Sequence, residues 1–340
     1  EILGIRAEWI LLTNNPDKVA AMERNGLTVA RSEAIEFEPG PFNQFYLKSK
    51  MESGHVLEQT ETGNLPQVQL PEAVVPFKPH RLKQAERFIY MASYLLPIRP
   101  IDGEIVVTYN AMQAMLGERT LDDFMKGTDA PILGYESLRG NRLLIKLDVA
   151  ALQRAEAADP NHPLKALRFL PYWFRVHVYY DIVTGDDLVV LTHGKPESYE
   201  SPIVRVQSES ILNRFPVKVD DNKVKYQRAV QHIVHYGAGA IVLVYQDGRG
   251  AGFGAFSIDR MLLERGKTRT SSESYRRLGV PFDQRDYTCV FEVLKSHLPS
   301  RNIQMVMNSP NSMVQKSEYA HALNASGLNV VNWIFLESEL

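Results

Sequence analysis

Ala240-Ile241-Val242-Leu243-Val244-Tyr245-Gln246-Asp247-Gly248-Arg249-Gly250-Ala251-Gly252-Phe253-Gly254 reads as a buried strand running into a glycine-rich loop. Four glycines directly after an apolar strand let backbone amides approach an anionic group closely, and Arg249 adds a forked cation beside them. The plainer alternative is a tight strand-to-helix connection with no ligand. Working outward, an amphipathic helix from Lys223 to about Tyr236 precedes the strand. Helices to Leu278 and over Tyr287–His297, a strand at Ile303–Met307, a helix at Met313–Asn324 and a strand at Leu328–Val331 follow it. Alternation of this kind predicts an α/β fold, with a mixed, largely parallel sheet flanked by helices. Upstream, Phe174, Val176, Val178 and Tyr180 alternate with period two, and apolar runs at Leu188–Leu191 and Ile203–Val206 predict further strands.

Three more segments lie before that module, which spans 168–340. Residues 1–57 read as compact α/β: a strand at Trp9–Leu12, the turn Thr13-Asn14-Asn15-Pro16, a helix from Asp17 ended by Gly26, a strand at Leu27–Ala30, a bend at Glu38–Pro41 and a helical tail from Tyr46 to Val56. Residues 58–79, with four prolines and little periodicity, read as a linker. Residues 80–167 read as a mainly helical connector of unknown role. In it, Leu82, Ala85, Phe88, Ile89, Ala92 and Leu95 recur at helical spacing over Arg81–Leu96, and one strand is expected at Glu104–Thr108.

An internal repeat links the two ends. Ile10-Leu11-Leu12-Thr13-Asn14-Asn15-Pro16, a helix and Gly26-Leu27-Thr28-Val29 reappear as Gln304-Met305-Val306-Met307-Asn308-Ser309-Pro310, a helix about seven residues longer and Gly327-Leu328-Asn329-Val330. Two copies of one strand–turn–helix–strand unit suggest tandem modules, the first present only as its C-terminal part. Glu1 opens directly into a structured-looking segment, so the chain is expected to be a fragment of something longer.

Composition narrows the function classes. The 340 residues carry 38 basic and 40 acidic side chains and a net charge of −2, which argues against binding nucleic acid or membrane by bulk electrostatics. Cys289 is the one cysteine. A single thiol excludes an intrachain disulfide, fits a reducing compartment such as the cytoplasm, and rules out a zinc site built on several thiolates.

Two other segments carry chemistry. Gly279-Val280-Pro281-Phe282-Asp283-Gln284-Arg285-Asp286-Tyr287 places a carboxylate and a guanidinium two residues apart at a helix start, as a proton shuttle and a phosphate-facing cation or as a helix cap with a surface ion pair. Thr13-Asn14-Asn15-Pro16-Asp17-Lys18 joins a hydroxyl, a lysine and a helix N-terminus, suited to a phosphate or purine edge or to ordinary capping. His232 and His235 share a helix face without an evident acidic or thiol partner, Trp173-Phe174 and Tyr179-Tyr180 read as strand core, and Cys289 reads as buried packing.

In order, a strand with Gly-Arg-Gly, then Asp283-x-Arg285-Asp286-Tyr287, then Asn308-x-Pro310, resembles the GTP cyclohydrolase II family over residues from about 170 to 338. Residues 1–57 resemble the end of another copy, including Asn43, Tyr46-Leu47, Lys50 and Gly54-His55. The resemblance implies a zinc-bound water attacking C8 of guanine, with release of formate and pyrophosphate on the riboflavin pathway. It assigns catalysis to Asp283 and Arg285 and nucleotide binding to Gly248, Arg249, Gly250 and Glu273, with Thr13 and Lys18 in the first copy. Its partners would be GTP or another nucleotide and a second copy in a homodimer. Arg260 stands where the family has an active-site tyrosine, and the turn at 307–312 lacks the family's threonine and lysine. The family's metal cysteines follow C-x10-C-x-C; here Ser210 takes the first place, Asp221 or Asn222 the second, and Lys223 or Val224 the third. Asp220 and Asp221 could ligate a hard metal, but the three-thiolate set is gone. The expectation is a catalytically silent second module that holds no zinc, zinc being confined to an intact upstream module. The rivals are a uracil-catabolism-type relative acting on a pyrimidine nucleotide and a non-catalytic nucleotide sensor or dimerisation scaffold.

Overall fold

A computed structural model describes residues 8–35, 46–47, 50–51, 54–56, 80–82, 85–210, 221–245, 247–281, 284–298, 300–308 and 313–336, and it divides the chain into two units, Glu1–Ala73 and Val74–Leu340. The linker expected at 58–79, the bend at 38–41 and Asp283 lie outside the described residues.

In the first unit, β1 (Trp9–Leu12) and β2 (Val29–Glu33) pair in parallel around α1 (Pro16–Arg24). Asn15 caps α1 by accepting from the Asp17 amide at 2.9 Å, Pro16 opens the first turn, and Gly26 leaves it at φ 77°.

The second unit begins with β3 (His80–Leu82), β4 (Ala85–Ile98), β5 (Glu104–Thr108), α2 (Tyr109–Leu116), α3 (Leu121–Met125), β6 (Ile132–Leu138), β7 (Arg142–Leu147) and α4 (Val149–Ala158). It continues through β8 (Tyr172–Asp181), β9 (Asp187–His193), β10 (Ile203–Ser208), α5 (Asp221–Tyr236), β11 (Gly239–Val244), α6 (Gly252–Glu264), α7 (Ser271–Leu278), α8 (Tyr287–Lys295), β12 (Asn302–Met307), α9 (Met313–Ser326) and β13 (Asn329–Phe335). One mixed sheet runs β13-β12-β10-β11-β9-β8-β4-β3. Its β13-to-β11 half is parallel and the remainder antiparallel.

The parallel half is covered on both faces, so its strands are apolar on both sides. Val204, Val206, Ala240 and Val242 face α8 and α9 through Val290, Phe291, Leu294, Tyr319 and Leu323. Ile203 and Ile241 face α5 through Ala229, Val230 and Ile233.

The helix expected over Arg81–Leu96 is instead β3 and β4, and a bulge explains the misreading. The pairing of β4 with β8 shifts register between Tyr90 and Ala92. An extra residue inverts the side-chain parity of a strand. Phe88 and Tyr90 therefore join the core beneath α8, whereas Leu96 and Ile98, of the same parity in sequence, join the opposite one. Period two is broken midway, and what survives mimics a helical spacing.

The connector has its expected strand β5 and contains the helices α2, α3 and α4, but it is not mainly helical. β6 and β7 complete an antiparallel sheet of order β5-β7-β6 with its own core of Ile105, Met112, Ile132, Ile145, Leu152, Leu164 and Leu167. β3 and β4, also within 80–167, belong to the large sheet.

The two repeat copies agree in fine geometry. β12 and β13 pair in parallel as β1 and β2 do, with the register shift falling between Ile303 and Gln304 in one and between Trp9 and Ile10 in the other, positions that the repeat aligns. Gly26 and Gly327 end their helices at φ 77° and 70°.

Candidate functional site

β10 and β11 are parallel neighbours, so their carboxyl ends open on the same edge of the sheet. Crevices for ligands form at such edges in α/β folds. Beyond β11 the loop Asp247–Gly250 is kinked rather than helical, with Gly248 (φ 60°, ψ 32°) and Arg249 (φ 56°, ψ 39°) both left-handed. A left-handed arginine is strained by roughly 1–2 kcal/mol, so the surroundings must hold it. They do so through backbone contact: the Gln284 amide donates to the Arg249 carbonyl at 2.8 Å. A Cβ on Gly250 would lie 3.0 Å from the Gln284 carbonyl carbon and 3.1 Å from the Arg285 nitrogen, and one on Gly248 would lie 3.1 Å from the Tyr275 hydroxyl. The glycines are there because backbone and side chain pass this close.

This packing carries Arg285 to the end of β10, where its Nη1 donates to Ser208 Oγ at 2.7 Å. Arg249, Arg260 and Arg285 thereby line one cleft of about 210 Å³. Ser208, Ser210, Ser271 and Tyr275 supply hydroxyls to the same cleft, and Glu209, Asp247 and Asp259 supply carboxylates. Burial raises the Tyr275 hydroxyl pKa and Asp259 adds to the rise, while Arg249, Arg260 and Arg285 oppose it. The arrangement suits a ligand with an anionic end for the guanidinium groups and a hydrogen-bond-donating end for the carboxylates.

Of the residues the sequence singles out, Gly248, Arg249, Arg285 and Ser210 line this cleft, and Gly250 packs against the 284–285 backbone beside it. Glu273 is not among the lining residues. It sits in the first turn of α7, its amide donating to Thr270 Oγ1 at 3.2 Å while Oε2 accepts from the Arg269 amide at 3.0 Å and Oε1 from Arg277 at 2.7 Å. These donors, the Arg269 amide first, hold its carboxyl below the usual range. In the first unit, Thr13 lines a separate cleft of about 470 Å³ with Asn14, Asn15 and Pro16, and its Oγ1 accepts from the Asn15 amide at 3.1 Å; Lys18 is exposed and not among the lining residues. His235 lies 3.2 Å from Glu104 of β5.

Sequence reasoning misses Asp259, Tyr275 and Phe256, which belong to no motif. It also passes over Arg205, buried under the same edge, whose Nη2 donates to Asn308 Oδ1 at 2.7 Å and ties β10 to the turn after β12.

The residues do not fit a thiolate-bound zinc. Ser210 is in the cleft, but Lys223 and Val224 are exposed on the first turns of α5. Among the described residues no three His, Cys, Asp or Glu side chains are grouped to hold a metal ion. Cys289 belongs elsewhere: its Sγ lies 2.7 Å from Arg87 Nη1 and 2.9 Å from Asp286 Oδ2, with burial and then Asp286 pushing its pKa up to about 12.

Residues 167–334 match the family model described as GTP cyclohydrolase II. The riboflavin biosynthesis protein RibBA of Aquifex aeolicus is 30% identical over 168 residues, 49% of this chain and 39% of that protein. GTP cyclohydrolase-2 of Saccharophagus degradans is 29% identical over 163 residues, 47% of this chain and 76% of that protein. GTP cyclohydrolase-2 of Pseudomonas putida is 30% identical over 142 residues, 41% of this chain and 67% of that protein. The chain thus spans well under half of the Aquifex relative and about two thirds to three quarters of the other two.

Proposed function

Since this chain belongs to the GTP cyclohydrolase II family, we propose that its 168–340 module binds a nucleotide by its phosphates and has lost the zinc-dependent ring opening, acting as the silent partner of a tandem pair. The observation that carries the reading is the convergence of Arg249 and Arg285, remote in sequence, on one cleft at the carboxyl ends of β10 and β11. Guanidinium groups pair phosphate oxygens bidentately. The Ser208 hydroxyl holding Arg285 fixes the direction of its fork. Loss of ring opening is inferred from the donor set: Ser210, Asp221 or Asn222, and Lys223 or Val224 stand where three thiolates would hold the metal that activates water, and a lysine or valine in the third place supplies no ligand. The repeat supports a tandem arrangement, with residues 1–57 as the end of the other module; the proposed state of the chain is a cytoplasmic homodimer. No helix of the described residues is long and apolar enough to cross a membrane.

Titration calorimetry of the full chain with GTP and UTP tests this directly. Binding of at least one nucleotide is expected, weakened about 10- to 100-fold by Arg249→Ala, the loss of one charge-assisted pairing. No heat and no melting shift with either nucleotide at millimolar concentration would leave scaffolding as the function. Tightly held stoichiometric zinc together with formate release from GTP would overturn the silence.

A further inference from the structure

Asp259 lies on α6 in the wall of the cleft, yet it is only 2% exposed. Its Oδ2 accepts from Ser271 Oγ at 2.9 Å, while its Oδ1 is buried with no hydrogen-bond partner among the described residues. A buried carboxylate oxygen without a donor is costly to folding and calls for an explanation, and in the wall of a cleft a ligand that completes it is one. The helix has no structural need for the charge, since the Ser271 contact asks only for an acceptor. Arg260, the next residue, is exposed and stacks over Phe256 at 5.1 Å.

We propose that Asp259 is a specificity-determining residue of this cleft, its Oδ1 accepting a hydrogen bond from an N–H or O–H of the nucleoside part of the bound nucleotide. The proposal rests on the nucleotide-binding reading above and adds orientation to it. Phosphate oxygens are acceptors and carry negative charge, so the buried carboxylate repels them and Arg249 and Arg285 attract them. A ligand is thereby turned with its phosphates toward the two arginines and its donor edge toward Asp259. Oδ1 is buried in the cleft wall, so a ligand reaches it by displacing the groups that cover it. The donor can be a ring or exocyclic N–H of the base or a ribose hydroxyl, which present the same chemistry to a carboxylate.

Asp259→Asn in the full chain separates this role from a structural one. Three ligands are titrated into both proteins: GTP, its 2′,3′-dideoxy analogue and inorganic triphosphate, with the melting temperature of each free protein measured alongside. GTP affinity is expected to fall at least 10-fold in the variant. Inorganic triphosphate is expected to bind as well as to the wild type or better, because a repelling charge has gone. The free variant is expected to melt at the same or a higher temperature, since a buried charge is removed and Ser271 keeps an acceptor. If the dideoxy analogue shows the same 10-fold loss, the donor is on the base; if its affinity for the two proteins is equal, the donor is on the sugar. Equal losses for GTP and inorganic triphosphate, or a variant with a lower melting temperature and unchanged GTP affinity, would make Asp259 a structural residue and overturn the proposal. A wild type that binds triphosphate but no nucleotide overturns the proposal while leaving the anion site. A wild type that binds none of the three overturns the nucleotide reading and this one with it.

Discussion

Two glycines of one loop separate backbone conformation from close approach at the residue scale. Gly250 and Gly252 have nearly the same φ, 88° and 87°, but a Cβ on Gly252 would meet nothing within 4 Å while one on Gly250 would press on the Gln284–Arg285 backbone. Both Ala substitutions incur the left-handed strain of roughly 1–2 kcal/mol. Gly250→Ala alone also pushes away the segment that carries Arg285 to Ser208. Urea midpoints should therefore drop in both variants, and nucleotide affinity should collapse in Gly250→Ala while Gly252→Ala keeps most of it. Equal affinities in the two would show that the packing of loop on loop does not position Arg285. These glycines are legible in the sequence because a run of them after an apolar strand has few other uses. Glu273 shows the opposite hazard: Thr270-x-x-Glu273 is a helix-start signature, which the Glu273 amide donating to Thr270 Oγ1 expresses, while the carboxylate is engaged by the Arg269 amide and by Arg277 one turn on. Asp259 is illegible for a physical reason, since a buried oxygen without a donor, as at its Oδ1, is a property of the folded site and leaves no mark on spacing.

At the scale of elements, the connector and the family module are joined by a helix cap supplied from outside the helix. α5 ends at Tyr236 with carbonyls that have no intrahelical donor. Arg142, the first residue of β7, donates from Nη1 to the Val234 carbonyl at 2.7 Å and from Nη2 to those of His235 and Tyr236 at 2.9 and 2.8 Å. Its guanidinium also meets the negative end of the helix dipole. Gly237 is required beside it, because a Cβ there would lie 2.5 Å from Arg142 Nη2. Arg142→Ala should lower stability to urea by about 2–4 kcal/mol, as several charge-assisted bonds vanish and leave carbonyls half-buried. Arg142→Lys should recover only a part, a point charge being unable to serve three acceptors in the fork geometry. A loss below about 0.5 kcal/mol in Arg142→Ala would mean that α5 is held by its apolar face alone. Nothing in Arg139-Gly140-Asn141-Arg142 announces this role, because the partner is a set of backbone carbonyls, which every sequence possesses. The misread β4 has a related cause: the bulge at Met91 is set by pairing with β8, and pairing is written in no single strand.

For the whole molecule, pH is the variable that tests whether the second unit unfolds as one body. His177 of β8 and His297, just beyond α8, lie 4.2 Å apart between ring centroids with their planes tilted by 50°, where the antiparallel half of the sheet meets the helical layer. His177 Nδ1 bonds to the Tyr90 hydroxyl of β4 at 2.6 Å, its Nε2 to Thr192 of β9 at 3.0 Å, and His297 Nε2 to the Tyr179 hydroxyl at 2.5 Å. Three strands and the segment that follows α8 thus share one network, and a proton added to it is felt by all of them. Burial pushes the pKa of His177 down to about 3, with His297 and Arg175 adding to the drop, and burial pushes His297 down to about 4. Both therefore stay neutral in the folded protein at pH values where the unfolded chain takes up protons, below about 6.5. The unfolded state binds more protons in that window, so stability falls as pH falls from about 6.5 toward 4 and is unaffected by these groups above about 7. The slope should reach about 1.4 kcal/mol per pH unit for each histidine. Urea unfolding at pH 7.5, 6, 5 and 4.5 measures it. His297→Gln, which keeps a polar partner for Tyr179 without a titrating group, should remove about half of the pair's contribution while changing stability at pH 7.5 far less. An unchanged slope in His297→Gln would show that the site opens locally and titrates without unfolding the sheet, and the second unit would then not unfold in a single step.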